Sequence, residues 1–121
     1  MKHLINWVEI PVTDMQRAKS FYSTILSVEL NTMEMGGNMY ALFPTEDRFN
    51  CGALVQGKYY KPGSDGIVIY LDGGDDLNNI LLKVNEAGGQ VIMERMFLSV
   101  EAGHIGMFID SEGNKIGLQN M

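Results

Sequence analysis

Alternation and helical spacing succeed one another twice along the 121-residue chain. Residues 4–10 alternate as a strand does, with Trp7 and Glu9 on one side and Val8 and Ile10 on the other. Pro11 closes that strand. Thr13-Asp14-Met15-Gln16 then reads as a capping box, in which the Thr13 hydroxyl and the Gln16 amide satisfy exposed backbone donors. Met15, Ala18, Phe21, Tyr22 and Ile25 follow at helical spacing and predict a helix from about residue 14 to about residue 26. Strands are expected at 29–35, 39–43 and near 52–56, the first two joined through Gly36-Gly37-Asn38.

Residues 57–66 lack periodicity and read as a linker, after which the pattern restarts. A strand is predicted at 67–71 and a turn at Asp72-Gly73-Gly74-Asp75, with Asp75 or Asp76 as helix N-cap. Leu77, Ile80, Leu81 and Val84 form an apolar stripe, and Gly88 stands where a left-handed C-terminal cap belongs. Strands at 90–97, 105–110 and 115–119 complete the chain, the last pair joined by Ser111-Glu112-Gly113-Asn114. Strand, helix and three strands thus occur twice, an internal duplication of about fifty residues visible as order of elements more than as letter identity. The chain is expected to be one α+β domain over 1–121, with module one at about 4–56 and module two at about 67–121. Neither half can bury its helix and sheet alone. Helices cover one face of a mixed sheet, and the other face must meet a partner half or enclose something.

Composition narrows the class. With 45% apolar and 20% charged residues, the balance is that of a globular protein. The formal charge of −6 is spread along the chain without a Lys/Arg cluster, which argues against nucleic acid or an anionic membrane as partner. One cysteine, Cys51, makes no internal disulfide; with no secretory signal before the first strand, a reducing, cytoplasmic setting is expected. No apolar run approaches the ~18 residues that span a bilayer. Cys51 precedes the apolar run Gly52-Ala53-Leu54-Val55 and is expected to be a buried structural thiol.

Two paired βαβββ modules resemble the vicinal oxygen chelate superfamily, which includes glyoxalase I, extradiol dioxygenases and bleomycin-resistance proteins. Asp14-Met15-Gln16-Arg17-Ala18-Lys19-Ser20-Phe21-Tyr22 resembles its first helix, and Asn85-Glu86-Ala87-Gly88-Gly89-Gln90-Val91 the end of its second. Phe108-Ile109-Asp110-Ser111-Glu112-Gly113-Asn114 is similar to its final hairpin, with Ser111 where proline is common. The resemblance implies eight strands curled into a cup with helices outside and ligands on the inner face. It also places the metal-ligand positions on Trp7, on Ala53 (or Gly52, one residue away), on Gly66 and on Gly117. None of these side chains can bind a divalent cation, so neither metal nor other cofactor is expected. His3 and His104 are read as ordinary rim histidines.

By alternation the inner face collects Trp7 and Glu9, Val68 and Tyr70, and Lys115 and Gln119, with at least some of Met33, Met35 and Met39. Such residues make an apolar pocket with adaptable walls, or simply fill the cup as core. Glu9 suits a general base, but without a metal an enediolate has little to stabilise it. A salt bridge to Lys115, or hydrogen bonds to the cup backbone, would explain Glu9 equally well. Tyr59 and Tyr60 of the linker are expected to fold over the cup mouth or to pack between protomers. Three functions remain: a metal-free homodimeric binder of a small, partly apolar molecule, as in antibiotic-sequestering relatives; an enzyme of the lactoylglutathione-lyase or dioxygenase type with a non-standard site; or a dimeric interaction module without ligand. The four positions without ligand atoms favour the first.

Overall fold

Both repeats form, in the expected order. The structure, a computed structural model, describes residues 4–45 and 51–120. Module one comprises β1 (Val8–Pro11), α1 (Met15–Leu26), β2 (Asn31–Met35), β3 (Asn38–Leu42) and β4 (Gly52–Gln56). Module two comprises β5 (Ile69–Asp72), α2 (Asn78–Ala87), β6 (Gln90–Ser99), β7 (Gly103–Ile109) and β8 (Lys115–Asn120). Each module builds its own four-stranded sheet, ordered β1-β4-β3-β2 and β5-β8-β7-β6. In both sheets the first strand runs parallel to the last and the other pairs are antiparallel. The eight strands are therefore two mixed sheets, not closed into a barrel, with β1 and β5 as free edges.

The two modules share one core. Ile10, Leu54 and Ala41 are register partners across three strands, and all are buried with Ala18, Phe21, Tyr22 and Ile25 of α1. Ile80, Leu81 and Val84 of α2 join the same cluster as Phe108, Ile116 and Leu118. Phe21 of module one lies 5.8 Å from Phe108 of module two, ring centre to ring centre. Fully burying one such ring is worth about 1.5–3 kcal/mol, so separating the modules would strip apolar contacts from both.

The turns follow from backbone needs. Gly36 and Gly37 both take positive φ (56° and 85°), as a two-residue hairpin between β2 and β3 requires. Gly88 caps α2 at φ 112°, where any Cβ would be strained.

Several local expectations are corrected. The N-cap of α1 is Asp14, whose carboxylate accepts from the Arg17 N–H at 3.1 Å, and not the Thr13–Gln16 box. The carboxylate of Asp76 accepts from the Asn78 N–H, but α2 starts after Leu77 and has no side-chain cap at that residue. Paired strand begins at Val8, opposite Gly52, so residues 4–7 precede it. Pro11 belongs to β1, on an edge strand where a missing N–H costs no ladder bond. Cys51 is exposed, because the buried run starts one residue later at Gly52. His3 lies outside the described residues.

Candidate functional site

Register decides which side chains share the face away from the helices. Glu9 pairs with Ala53 and Ala53 with Leu42, while Tyr40 pairs with Val55 and with Met33. In module two Tyr70 pairs with Gly117 and Gly117 with Met107, and Lys115 and Gln119 flank Gly117 on the same side. Met33, Met35 and Tyr70 are exposed there, at 47%, 41% and 42%. Met39 does not join them. It pairs with Gln56, in step with the helix-facing Ala41 and Leu54, and lines a groove with Gln16 and Lys19 of α1. Val68 falls just before β5.

The expected residues split between several places. Trp7, Glu9 and Lys115 come together in a cavity of about 680 Å³ between the modules, along the free edges of β1 and β5. Ile5, Val8, Pro11, Ile67 and Ile69 give it apolar walls, and the linker contributes Lys61, Gly63 and Asp65. Met33, Met35, Val68, Tyr70 and Gln119 lie outside this cavity. Gln119 donates instead to the Ala102 carbonyl at 3.0 Å.

Glu9 has partners that alternation alone does not reveal. Its Oε2 accepts from the Trp7 indole N–H at 3.2 Å, and its Oε1 accepts from the Tyr60 hydroxyl at 2.7 Å. The carboxylate holds the Tyr60 phenol protonated, pushing its pKa up to about 12, with burial adding to the effect. The bond to Lys115 does not form: among the described residues the ion pairs are Arg17–Glu112 and Arg95–Asp76. Tyr60 thus ties the linker to β1, whereas Tyr59 stays 86% exposed. Trp7 is 37% exposed, so its ring is part of a wall and not of the core.

The last hairpin reaches the cavity through Asn114, one of its lining residues. Buried Asp110 accepts from the Tyr22 hydroxyl at 2.6 Å, from the Asn114 amide, and from the backbone N–H of Glu112 and Asn114. Asn114 donates to the Pro11 carbonyl at 2.8 Å and accepts from the Gly63 N–H at 3.1 Å. One side chain thereby fixes β1, the linker and β8. Beside it, Glu112 accepts from the N–H groups of Thr13 and Asp14 and forms a two-toothed pair with Arg17. The sequence marks this hairpin as a motif, but not that it clamps module one.

Over residues 4–118 the chain matches the Glyoxalase/Bleomycin resistance protein/Dioxygenase superfamily. It belongs to that superfamily. Among curated proteins it is 26% identical over 115 residues to CFP32 of Mycobacterium bovis, whose name assigns it provisionally to the glyoxylases. That match covers 93% of this chain and 44% of CFP32, so the chain spans less than half the length of this relative. Among solved structures it shares the fold of a glyoxalase/bleomycin resistance protein from Albidiferax ferrireducens (TM-score 0.68, 16% identity, 98% of this chain and 100% of that one). The fold is shared too with TnmS3, an antibiotic binding protein from Streptomyces (TM-score 0.63, 21% identity, 98% and 95%). Zea mays glyoxalase I aligns over 95% of this chain and 45% of its own (TM-score 0.62, 19% identity).

The positions that the resemblance assigns to metal ligands carry Trp7, Ala53, Gly66 and Gly117, whose side chains offer no carboxylate, imidazole or thiolate. Ala53 is buried on β4 and Gly66 sits in the linker with positive φ. At Gly117 the Tyr70 ring occupies the space of a side chain: a Cβ there would lie 2.5 Å from Tyr70 Cδ2. Among the described residues no three His, Cys, Asp or Glu side chains gather as ligands. His104 stands elsewhere, 3.4 Å from the Arg95 guanidinium and edge-on to Phe97. No described helix is long and apolar enough to cross a membrane.

Proposed function

We propose that this chain is a small-molecule-binding member of the superfamily that works without the superfamily's metal, taking a partly apolar ligand in the cavity between its modules. The observation that carries this reading is the wall built by Trp7 and Glu9. An exposed indole, fixed through its N–H to a carboxylate whose second oxygen is also held, presents a rigid aromatic surface to a cavity of about 680 Å³. The Tyr70 ring over Gly117 supports the metal-free part of the reading. The antibiotic-binding TnmS3, which has this fold, gives the proposal a precedent in kind. Glu9 orients ligand here and is not a catalytic base.

The protein pairs with a second copy of itself. Met33, Met35, Tyr70 and Met96 leave apolar surface exposed on the described chain, which closed twofold pairing would cover. Trp7 is the sole tryptophan, so its emission reports on one wall. Trp7→Ala should weaken binding by about 1–3 kcal/mol, and elemental analysis should find well under one metal per chain. Stoichiometric metal lost on changing Trp7 or Gly117 would overturn the reading.

A further inference from the structure

We infer that the ligand of this cavity is an apolar molecule bearing one anionic group, with Lys61 and Lys115 as the cations that receive it. The inference rests on the cavity's being the binding site and adds the chemical class of what it takes. It starts from the bond that Glu9 does not make. On alternation alone Glu9 and Lys115 share a face and should neutralise each other, yet Glu9 spends one oxygen on the Trp7 indole and the other on the Tyr60 hydroxyl. The side chain of Lys115 is left without an ion pair or hydrogen bond among the described residues, half-buried in a cavity wall. Lys61 lines the same cavity from the linker and is equally unpaired among the described residues.

The acidic groups of the cavity do not offer the same to a cation. Both oxygens of Glu9 already accept a hydrogen bond, one of them short and from a phenol, so a ligand ammonium would have to share that carboxylate with Trp7 and Tyr60. Asp65 and Lys61 are both exposed on the linker side of the cavity, where water screens them, and Lys115 lies deeper on β8. Lys115 is thus a half-buried charge in the cavity wall with no ion pair among the described residues, in a chain whose net charge is −6. The rest of the wall is Trp7, Ile5, Ile67, Ile69 and Pro11, which suits a hydrocarbon or aromatic body. A carboxylate on such a body would meet Lys115 from β8 and Lys61 from the linker, so binding would also draw the linker onto the strands.

Three probes of one shape test this by calorimetry: naphthylacetate, its uncharged amide and naphthylethylammonium. The acetate should bind tightest, roughly three- to ten-fold over the amide, with the advantage shrinking as salt is raised. Lys61→Met and Lys115→Met should each reduce the ratio of acetate to amide affinity, and an unchanged cooperative thermal unfolding transition certifies that the variants fold. Equal binding of all three, or tightest binding of the ammonium, would overturn the anionic class while the cavity reading stands. A preference for the acetate that survives both substitutions would overturn the assignment to these lysines. Failure of all three probes to bind would overturn the cavity reading, and this inference with it.

Discussion

The hydroxyl of Tyr60 donates to Oε1 of Glu9 across 2.7 Å, joining the linker between the modules to the first strand. The hydrogen bond to the carboxylate, with burial second, raises the phenol from its ordinary value near 10 to about 12. The raised value means that the bond's contribution is complete below pH ~10 and is lost as pH rises through about 12. Spectrophotometric titration should therefore show Tyr60 ionising late, as should Tyr22, which burial and Asp110 hold well above the ordinary phenol value. Tyr60→Phe should delete the step near pH 12; an unchanged curve would show that the bond is not formed in solution.

Glu112 behaves in the opposite sense. Burial alone would raise its pKa, but Arg17, the N–H groups of Asp14 and Thr13 and the Ser111 hydroxyl together lower it to about 2. Its contribution is present above the unfolded carboxylate value of 4.5 and disappears as pH falls through about 2. Stability to urea should thus decline over that acid range, and Glu112→Gln should flatten the decline. At neutral pH the same substitution should cost about 1–3 kcal/mol, since several charge-assisted bonds are weakened at once.

Tyr22→Phe removes one donor from buried Asp110 and leaves three others in place. A loss of about 1–3 kcal/mol is expected from chemical denaturation. Asp110→Ala strips the acceptor from all of them and should cost more, about 3–5 kcal/mol, with the two modules loosening together. A negligible effect of Asp110→Ala would contradict the clamp.

Gly117→Ala should cost about 1–3 kcal/mol, because the new methyl meets the Tyr70 ring and the ring must move. In a Tyr70→Ala background the same change should be nearly neutral. Such non-additivity is the mark of direct contact. Additive costs would place the strain in the backbone instead.

How far the chain could be read in advance depended on whether partners were near in sequence. Both helices were legible because Met15, Ala18, Phe21, Tyr22 and Ile25, and then Leu77, Ile80, Leu81 and Val84, are buried at the spacing that shows them. Gly36-Gly37 and Gly88 were legible because their conformations admit little else. The cap of α1 was displaced by one residue, since Thr13 and Asp14 are both good caps and the carboxylate that serves their N–H groups comes from Glu112. Alternation sets Trp7 and Glu9 two residues apart, where a hydrogen bond joins their side chains, but the other partner of Glu9 sits in an aperiodic linker that no alternation can position. Met39 was misassigned because register, set by the Gly36-Gly37 turn, puts it in step with Ala41 and hence on the helix side. Lys61 carried no signal until the linker's path brought it to the wall of the cavity that Lys115 also lines.

The central claim is that a small molecule binds against Trp7, and amide-proton NMR tests it most directly. One tryptophan gives one indole N–H resonance, and that proton is the one bonded to Glu9. Titrating small apolar fragments should shift this resonance together with the amides of Glu9 and Lys115, saturably and in the absence of added metal. If no fragment moves the indole signal while others shift residues of the groove between α1 and the β2–β3 hairpin, the cavity between the modules is not the binding site.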